Sequence, residues 1–139
     1  MSEKLSVCGI VATTPRHIVT SEGVAITSFR LASSQRRYDR QLSRWVDMDT
    51  NWYTVTAFRQ LALNSSVSLS KGDRVLATGR VRVRDWEHDG RSGTAVEIEA
   101  DALGHDLSWG ESRFEKNRMA PVEEEQPDAD DQERDADTF

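Results

Sequence analysis

Arginines and aromatic residues recur at even spacings along three stretches of the sequence, and one further tryptophan lies between two of these stretches. Arginine offers forked hydrogen bonds to phosphate and cation–π contacts, and aromatic rings offer flat surfaces on which unpaired bases stack at about 1–3 kcal/mol each. These residue types together favour the binding of a single-stranded nucleic acid. The candidate binding residues are Arg30, Arg36, Tyr38, Trp45, Trp52, Phe58, Arg80, Arg82, Arg84 and Trp86.

Within each stretch the candidates share parity, so a regular strand would present them on one face of a sheet. The sets are Arg80, Arg82, Arg84 with Trp86, then Arg30, Arg36 with Tyr38, and finally Trp52 with Phe58. Trp45 falls in a predicted connection between strands, where burial is less natural, and is interpreted as a further stacking surface. Two other interpretations stay open: arginine stems that only cover a polar sheet face, and core packing of Trp52 and Phe58.

Signals for catalysis and for metal binding are missing from the sequence. The three histidines, His17, His88 and His105, are widely spaced, and the single Cys8 cannot build a usual zinc site or an internal disulfide. There is neither a phosphate-binding Gly-rich loop nor a nucleophile elbow. The sequence therefore predicts a non-enzymatic protein with no cofactor and no metal.

The charge of the chain is divided between two parts. Residues 1–110 carry 14 Lys and Arg against 13 Asp and Glu, whereas residues 111–139 carry 4 against 11. The net charge of −6 thus comes from the tail and does not argue against a nucleic-acid partner. We expect a disordered acidic tail over 111–139, since so polar a segment cannot offset its chain entropy. No apolar run is long enough for a membrane span and no signal-peptide core is present, so a cytoplasmic protein is predicted.

The elements that must position these residues follow from short runs of alternating polarity separated by turn signals. Five strands and one short helix, over Gln60 to Leu69, are predicted, and Asp89-Gly90 marks a tight hairpin. The order strand, strand, strand, helix, strand, strand is that of an oligonucleotide-binding barrel. The sequence therefore predicts an all-β, five-stranded oligonucleotide-binding domain over residues 1–110, followed by the tail.

The chain resembles the bacterial single-stranded DNA-binding protein family across roughly residues 5–107, through short motifs that occur in the family's order. They are Val7-Cys8-Gly9, Phe29-Arg30-Leu31-Ala32, Tyr38-Asp39-Arg40, Trp45-Val46-Asp47, Trp52, Phe58-Arg59-Gln60-Leu61-Ala62, Lys71-Gly72-Asp73-Arg74-Val75, Thr78-Gly79-Arg80-Val81-Arg82 and Val96-Glu97-Ile98-Glu99-Ala100-Asp101. The resemblance implies a homotetramer that coats single-stranded DNA in replication, repair and recombination. It also implies that the stacking aromatics are Tyr38, Trp52, Phe58 and Trp86.

The tail departs from the family pattern. The family's acidic tip docks replication and repair enzymes through a final Pro-Phe, and this chain keeps Asp135, Asp137 and Phe139 but has Thr138 in place of the proline. The Gly/Gln/Pro-rich linker of the family is replaced by a short acidic stretch. These differences leave two alternatives open: a secondary paralogue, or a related module that binds RNA or serves mainly as a protein-interaction adaptor.

Overall fold

The computed structural model describes residues 3–117, except for the side chains of Gln35, Asp47 and Met48. This part of the chain folds into strands and one helix, the class predicted. The elements are β1 (Lys4–Val11), β2 (Arg16–Val19), β3 (Ala25–Asp39), β4 (Arg44–Phe58), α1 (Arg59–Ser68), β5 (Arg74–His88) and β6 (Arg91–His105). The helix lies within one residue of its predicted bounds, and β2 is an addition to the five predicted strands.

The strands form one sheet in the order β1-β5-β6-β4-β3-β2. Strands β4 and β6 pair in parallel, whereas all the other pairs are antiparallel. A short pairing of β1 with β3, at Ile10 and Val11, brings the order back to its first strand. Five strands thus complete a barrel-like ring, and the short β2 lies outside it.

One parity of each of the five barrel strands faces the core, as the alternating pattern predicts. The largest cluster of buried hydrophobic residues is Val7, Val11, Phe29, Leu31, Val55, Leu69, Val75, Ala77 and Ile98. The opposite parity, which includes Arg30, Trp52 and Arg80, therefore lies on the outer face of the barrel. Core packing of Trp52 is wrong as an interpretation, because half of its surface is exposed.

Helix α1 closes one side of the barrel through the buried residues Ala62 and Ser65. The hydroxyl of Thr27, on the inner face of β3, donates to the Ala62 carbonyl at 2.8 Å. His17 Nδ1 lies 2.7 Å from the same hydroxyl oxygen. Since the single hydroxyl proton goes to Ala62, the histidine must donate from Nδ1. This chain of bonds ties β2, β3 and the helix together.

A carboxylate joins the segment after α1 to the end of β6. Asp73 Oδ2 accepts a hydrogen bond from the Ser70 backbone N–H at 2.9 Å and lies 3.0 Å from His105 Nε2. The Ser70 bond, with a smaller contribution from His105, lowers the pKa of Asp73 below its ordinary value despite an opposing effect of partial burial. The ionised carboxylate is therefore the form that holds these elements together.

The hairpin of β5 and β6 extends beyond the core. It turns at Asp89 and Gly90, whose φ angles of 56° and 76° suit the predicted two-residue turn. Val83, on the parity that faces the core lower down, is 65% exposed here. The outer part of β5, which carries Arg84 and Trp86, thus projects into solvent with the start of β6 as a two-stranded arm.

The acidic tail predicted for 111–139 is described only as far as Asn117, and the rest of that prediction lies outside the described residues. Residues 111–117 contain neither helix nor strand. Within residues 3–117, α1, with ten residues, is too short to cross a membrane.

Candidate nucleic-acid interface

The outer faces of β3 and β4 bring an arginine and a tryptophan together. Arg30 is in register with Thr54, and Ala32 with Trp52, so the two larger side chains are diagonal neighbours. The Arg30 guanidinium lies 5.4 Å from the Trp52 ring centroid, within cation–π range, and donates to Thr54 Oγ1 at 3.4 Å. Trp52 is 50% exposed. The pair therefore offers one π-face edged by a cation, the combination that a stacked nucleotide needs.

A second aromatic pair lies towards the tip of the β3–β4 hairpin. Tyr38 is directly opposite Trp45, and their ring centroids are 5.6 Å apart with the planes at 74°. Both rings are about half exposed. The placement of Trp45 in a connection between strands is wrong, because β4 begins at Arg44. The strand is longer than its polarity pattern indicates, since pairing continues past an irregularity of register between Ser34 and Arg36.

The outer face of β5 carries Arg80, Arg82, Arg84 and Trp86, as their shared parity predicts. Their partners on β6 are Glu99, Glu97, Ala95 and Gly93, respectively. Arg80 Nη2 lies 3.0 Å from Glu99 Oε1, and Arg84 Nη2 lies 3.6 Å from Glu97 Oε1. Two of the three arginines are thus already paired with carboxylates.

Glu97 and Glu99 separate the aromatic strand from the arginine strand. In the parallel pairing of β4 with β6, Thr54 lies beside Glu97 and Thr56 beside Glu99. One row across the sheet therefore runs Arg30, Thr54, Glu97, Arg82, with an acid among the cations. The arginine partners of both glutamates depend on long-range strand register, which the sequence pattern does not supply.

Trp86 packs against β6 at a residue without a side chain. A Cβ atom added to Gly93 would lie 2.7 Å from Cζ2 and 2.9 Å from Cε2 of the indole. The ring therefore rests on the bare backbone of Gly93, while the side chain as a whole stays 46% exposed. One part of the indole is supported by the protein and another part is open to a ligand.

Phe58 and Arg36 lie towards the margins of this surface. Phe58 shares the outward parity of Trp52 but is half-buried, and it is also the N-cap residue of α1. Arg36 lines a cavity of about 510 Å³ together with Arg74 and Trp109. Sequence reasoning missed this second arginine–tryptophan pair, in which the Arg74 guanidinium lies 3.8 Å from the Trp109 ring centroid.

Comparison with known proteins decides the family. Residues 2–106 match the model of the single-strand binding protein family. The chain belongs to this family. A relative in Tropheryma whipplei (strain Twist), single-stranded DNA-binding protein 2, is 54% identical over 112 residues, which are 81% of this chain and 74% of the relative. The family resemblance drawn from the sequence is thereby confirmed.

Solved structures in the single-strand binding protein family have the same fold. The crystal structure of the small single-stranded DNA-binding protein from Streptomyces coelicolor superposes with a TM-score of 0.73 at 43% identity, covering 78% of this chain and 98% of that one. The second single-stranded DNA-binding protein (SSBb) of Mycobacterium smegmatis gives a TM-score of 0.67 at 28% identity, with coverage of 84% and 100%. The oligonucleotide-binding fold is confirmed.

Proposed function

We propose that this chain binds single-stranded DNA with little regard to sequence and performs no catalysis. The observation that carries the proposal is the cation–π pair of Arg30 and Trp52 on an exposed strand face. Every base has a π-face and every nucleotide a phosphate, so such a pair accepts any single strand. The names of the relatives in the single-strand binding protein family support DNA as the ligand.

We propose that the DNA strand follows the aromatic residues over the outer faces of β3, β4 and the β5–β6 arm. Stacking is assigned to Tyr38, Trp45, Trp52, Phe58 and Trp86, and phosphate contacts to Arg30, Arg36, Arg80, Arg82 and Arg84. The ion pairs of Arg80 and Arg84 with glutamates make Arg82 the strongest phosphate ligand of the three on β5, because its guanidinium is in no ion pair within the described part of the chain.

The test is competition for the protein among four ligands of equal length: labelled oligo-dT, mixed-sequence single-stranded DNA, duplex DNA and single-stranded RNA. Sequence-tolerant binding predicts that the first two compete equally and that the duplex competes poorly. RNA that displaces oligo-dT at equal concentration would replace DNA as the proposed ligand. Competition by the duplex at equal strength would contradict stacking, since paired bases are not free to stack.

We further propose that copies of the chain associate, and a homotetramer is the assembly expected. Along β1, residues 4–9 pair only with β5, which leaves their other edge open within the described residues. On the outer face beside this edge, Cys8 is in register with the exposed Leu76. An open edge with apolar neighbours favours pairing with another chain. Solution mass by light scattering tests this: a monomer at working concentration would contradict it.

The proposed cellular role is coating and protecting single-stranded DNA in replication, repair and recombination, in the cytoplasm at the nucleoid. We assign residues 1–110 to DNA binding and residues 111–139 to an acidic tail. Asp135, Asp137 and Phe139 remain proposed docking residues for replication and repair proteins, an assignment that rests on sequence alone. Recovery of the same replication and repair enzymes by the chain with and without Phe139 would contradict the docking role.

A further inference from the structure

The Trp86 indole occupies the space that a Cβ atom would take at Gly93, its register partner on the neighbouring strand. Built onto Gly93, a Cβ would lie 2.7 Å from Cζ2, 2.9 Å from Cε2 and 3.0 Å from Nε1 of the indole. Carbon atoms pack optimally at about 3.5–4.0 Å, so the ring occupies the space that any other side chain at this position would need. The indole can keep its present position only because residue 93 is glycine.

The other exposed aromatics of the proposed surface are held by side chains. Trp52 has the guanidinium of Arg30 at 5.4 Å, and Tyr38 has the ring of Trp45 at 5.6 Å. For Trp86 the neighbour directly across the arm is the bare backbone of Gly93. The arm projects beyond the core, where its other face exposes Val83, so the core does not support the ring. Gly93 is therefore the feature that fixes the position of Trp86.

We propose that Gly93 is a positioning residue for base stacking: it seats the Trp86 indole against β6 and so pre-orders the ring for a nucleotide. The proposal rests on the proposed function, because it assigns Gly93 a role in the same single-stranded DNA site. A ring already held on the backbone loses less freedom when a base stacks on it than a ring that swings freely, and lower ordering costs give higher affinity. Gly93 acts through Trp86 and need not touch the DNA.

The test is the substitution Gly93→Ala, with Gly104→Ala as a matched control on the same strand. Neither glycine has a positive φ angle, so alanine strains the backbone at neither position. A Cβ at Gly104 has nothing within 4 Å, whereas a Cβ at Gly93 forces the indole to move. Both variants remove a glycine from a strand, so the general effect of that change cancels in their comparison.

The expected result is that Gly93→Ala weakens binding of oligo-dT by about five- to tenfold and that Gly104→Ala leaves it unchanged. A fully lost stacking contact corresponds to about 5- to 150-fold, and displacement of the ring forfeits part of that. The effect must vanish in a Trp86→Ala background, where there is no ring to displace. An equal loss in both backgrounds, or no loss in either, would overturn the proposal.

Folding is measured for each variant by its melting temperature. Should Gly93→Ala fail to fold, the double variant Trp86→Phe with Gly93→Ala decides the matter. Its smaller ring restores folding if the clash is with the indole, and failure to restore it would show that the backbone needs the glycine. Failure of this proposal and failure of the proposed function give different results. Unaltered protein that does not bind DNA contradicts the function, whereas normal binding with an insensitive Gly93 contradicts only this inference.

Discussion

Replacing the glutamates between the aromatic and arginine strands should tighten DNA binding. Glu99 holds Arg80 at 3.0 Å, and Glu97 holds Arg84 at 3.6 Å. A phosphate that approaches either arginine meets a guanidinium whose charge is partly neutralised and a carboxylate behind it. In the double variant Glu97→Gln with Glu99→Gln the shape of both side chains is kept and both negative charges are removed. Losing these two surface ion pairs lowers the free energy of unfolding by only about 0–1 kcal/mol each.

The size of the effect follows from the geometry. A phosphate in contact with such an arginine lies about 7 Å from the carboxylate, where the repulsion in water is about 0.6 kcal/mol. Two carboxylates therefore weaken binding by about 1.2 kcal/mol, or about sevenfold in Kd, in dilute salt. Screening with a Debye length of about 8 Å reduces this to about twofold at physiological salt. The slope of log K against log salt steepens by up to about 1.4, since each freed arginine adds about 0.7 for a single strand.

The assay is a titration of labelled oligo-dT at several salt concentrations. The control compares two single variants, Glu99→Gln and Asp101→Asn, because each raises the net charge by one on the same strand. Asp101 pairs with Lys4 at 3.0 Å and not with an arginine of the proposed surface. We expect a steeper slope from Glu99→Gln and no change of slope from Asp101→Asn. Equal effects of the two variants, or an unchanged slope in the double variant, would refute the reasoning.

Four further outcomes are expected. Trp86→Ala should weaken oligo-dT binding by about 1–3 kcal/mol with the melting temperature unchanged, and an unaffected Kd would remove Trp86 from the site. Arg82→Ala should flatten the salt slope by about 0.7, more than Arg80→Ala, and the reverse order would contradict the role given to the Glu99 pair. Phe58→Ala should lower the affinity of the folded protein about fivefold as well as its melting temperature; a change in melting temperature alone makes Phe58 a purely structural residue. Asp73→Asn should lower the melting temperature at pH 7 by roughly 2–5 °C. Because the pKa of Asp73 is lowered by folding, its stabilisation is present above the ordinary pKa of 3.8 and is lost as pH falls through the lower pKa of the folded state. The difference between the two proteins must therefore close in acid.

The fold could be predicted from the sequence because its signals are local. Alternation put Phe29 and Leu31 on the face opposite to Arg30, and the structure buries the first two and exposes the third; the Asp-Gly pair marked the hairpin that forms at Asp89 and Gly90. The short strand β2 gave no such signal, since all four of its residues are exposed and it lacks a buried parity. Edge strands of this kind are specified by their partner, here β3, and not by their own pattern.

The candidate site could be predicted only in part, because its charges depend on which strands are neighbours. Parity alone placed Arg80, Arg82 and Arg84 on one face. That Glu97 and Glu99 face them follows from the register of β5 with β6, which includes an irregularity between Thr78 and Gly79. At that point a Cβ on Gly79 would clash with the Glu99 carbonyl oxygen, so the glycine permits the irregularity. A long-range contact of this kind leaves no periodic trace in the sequence.

Titration of the protein with poly-dT, followed by its intrinsic tryptophan fluorescence at several salt concentrations, tests the central claim most directly. Stacking of bases on Trp52 and Trp86 should quench the emission to a saturating level. The apparent affinity should fall as salt rises, since each neutralised phosphate releases about 0.7 counterion. Saturation without quenching, or an affinity independent of salt, would contradict a surface built from tryptophans and arginines.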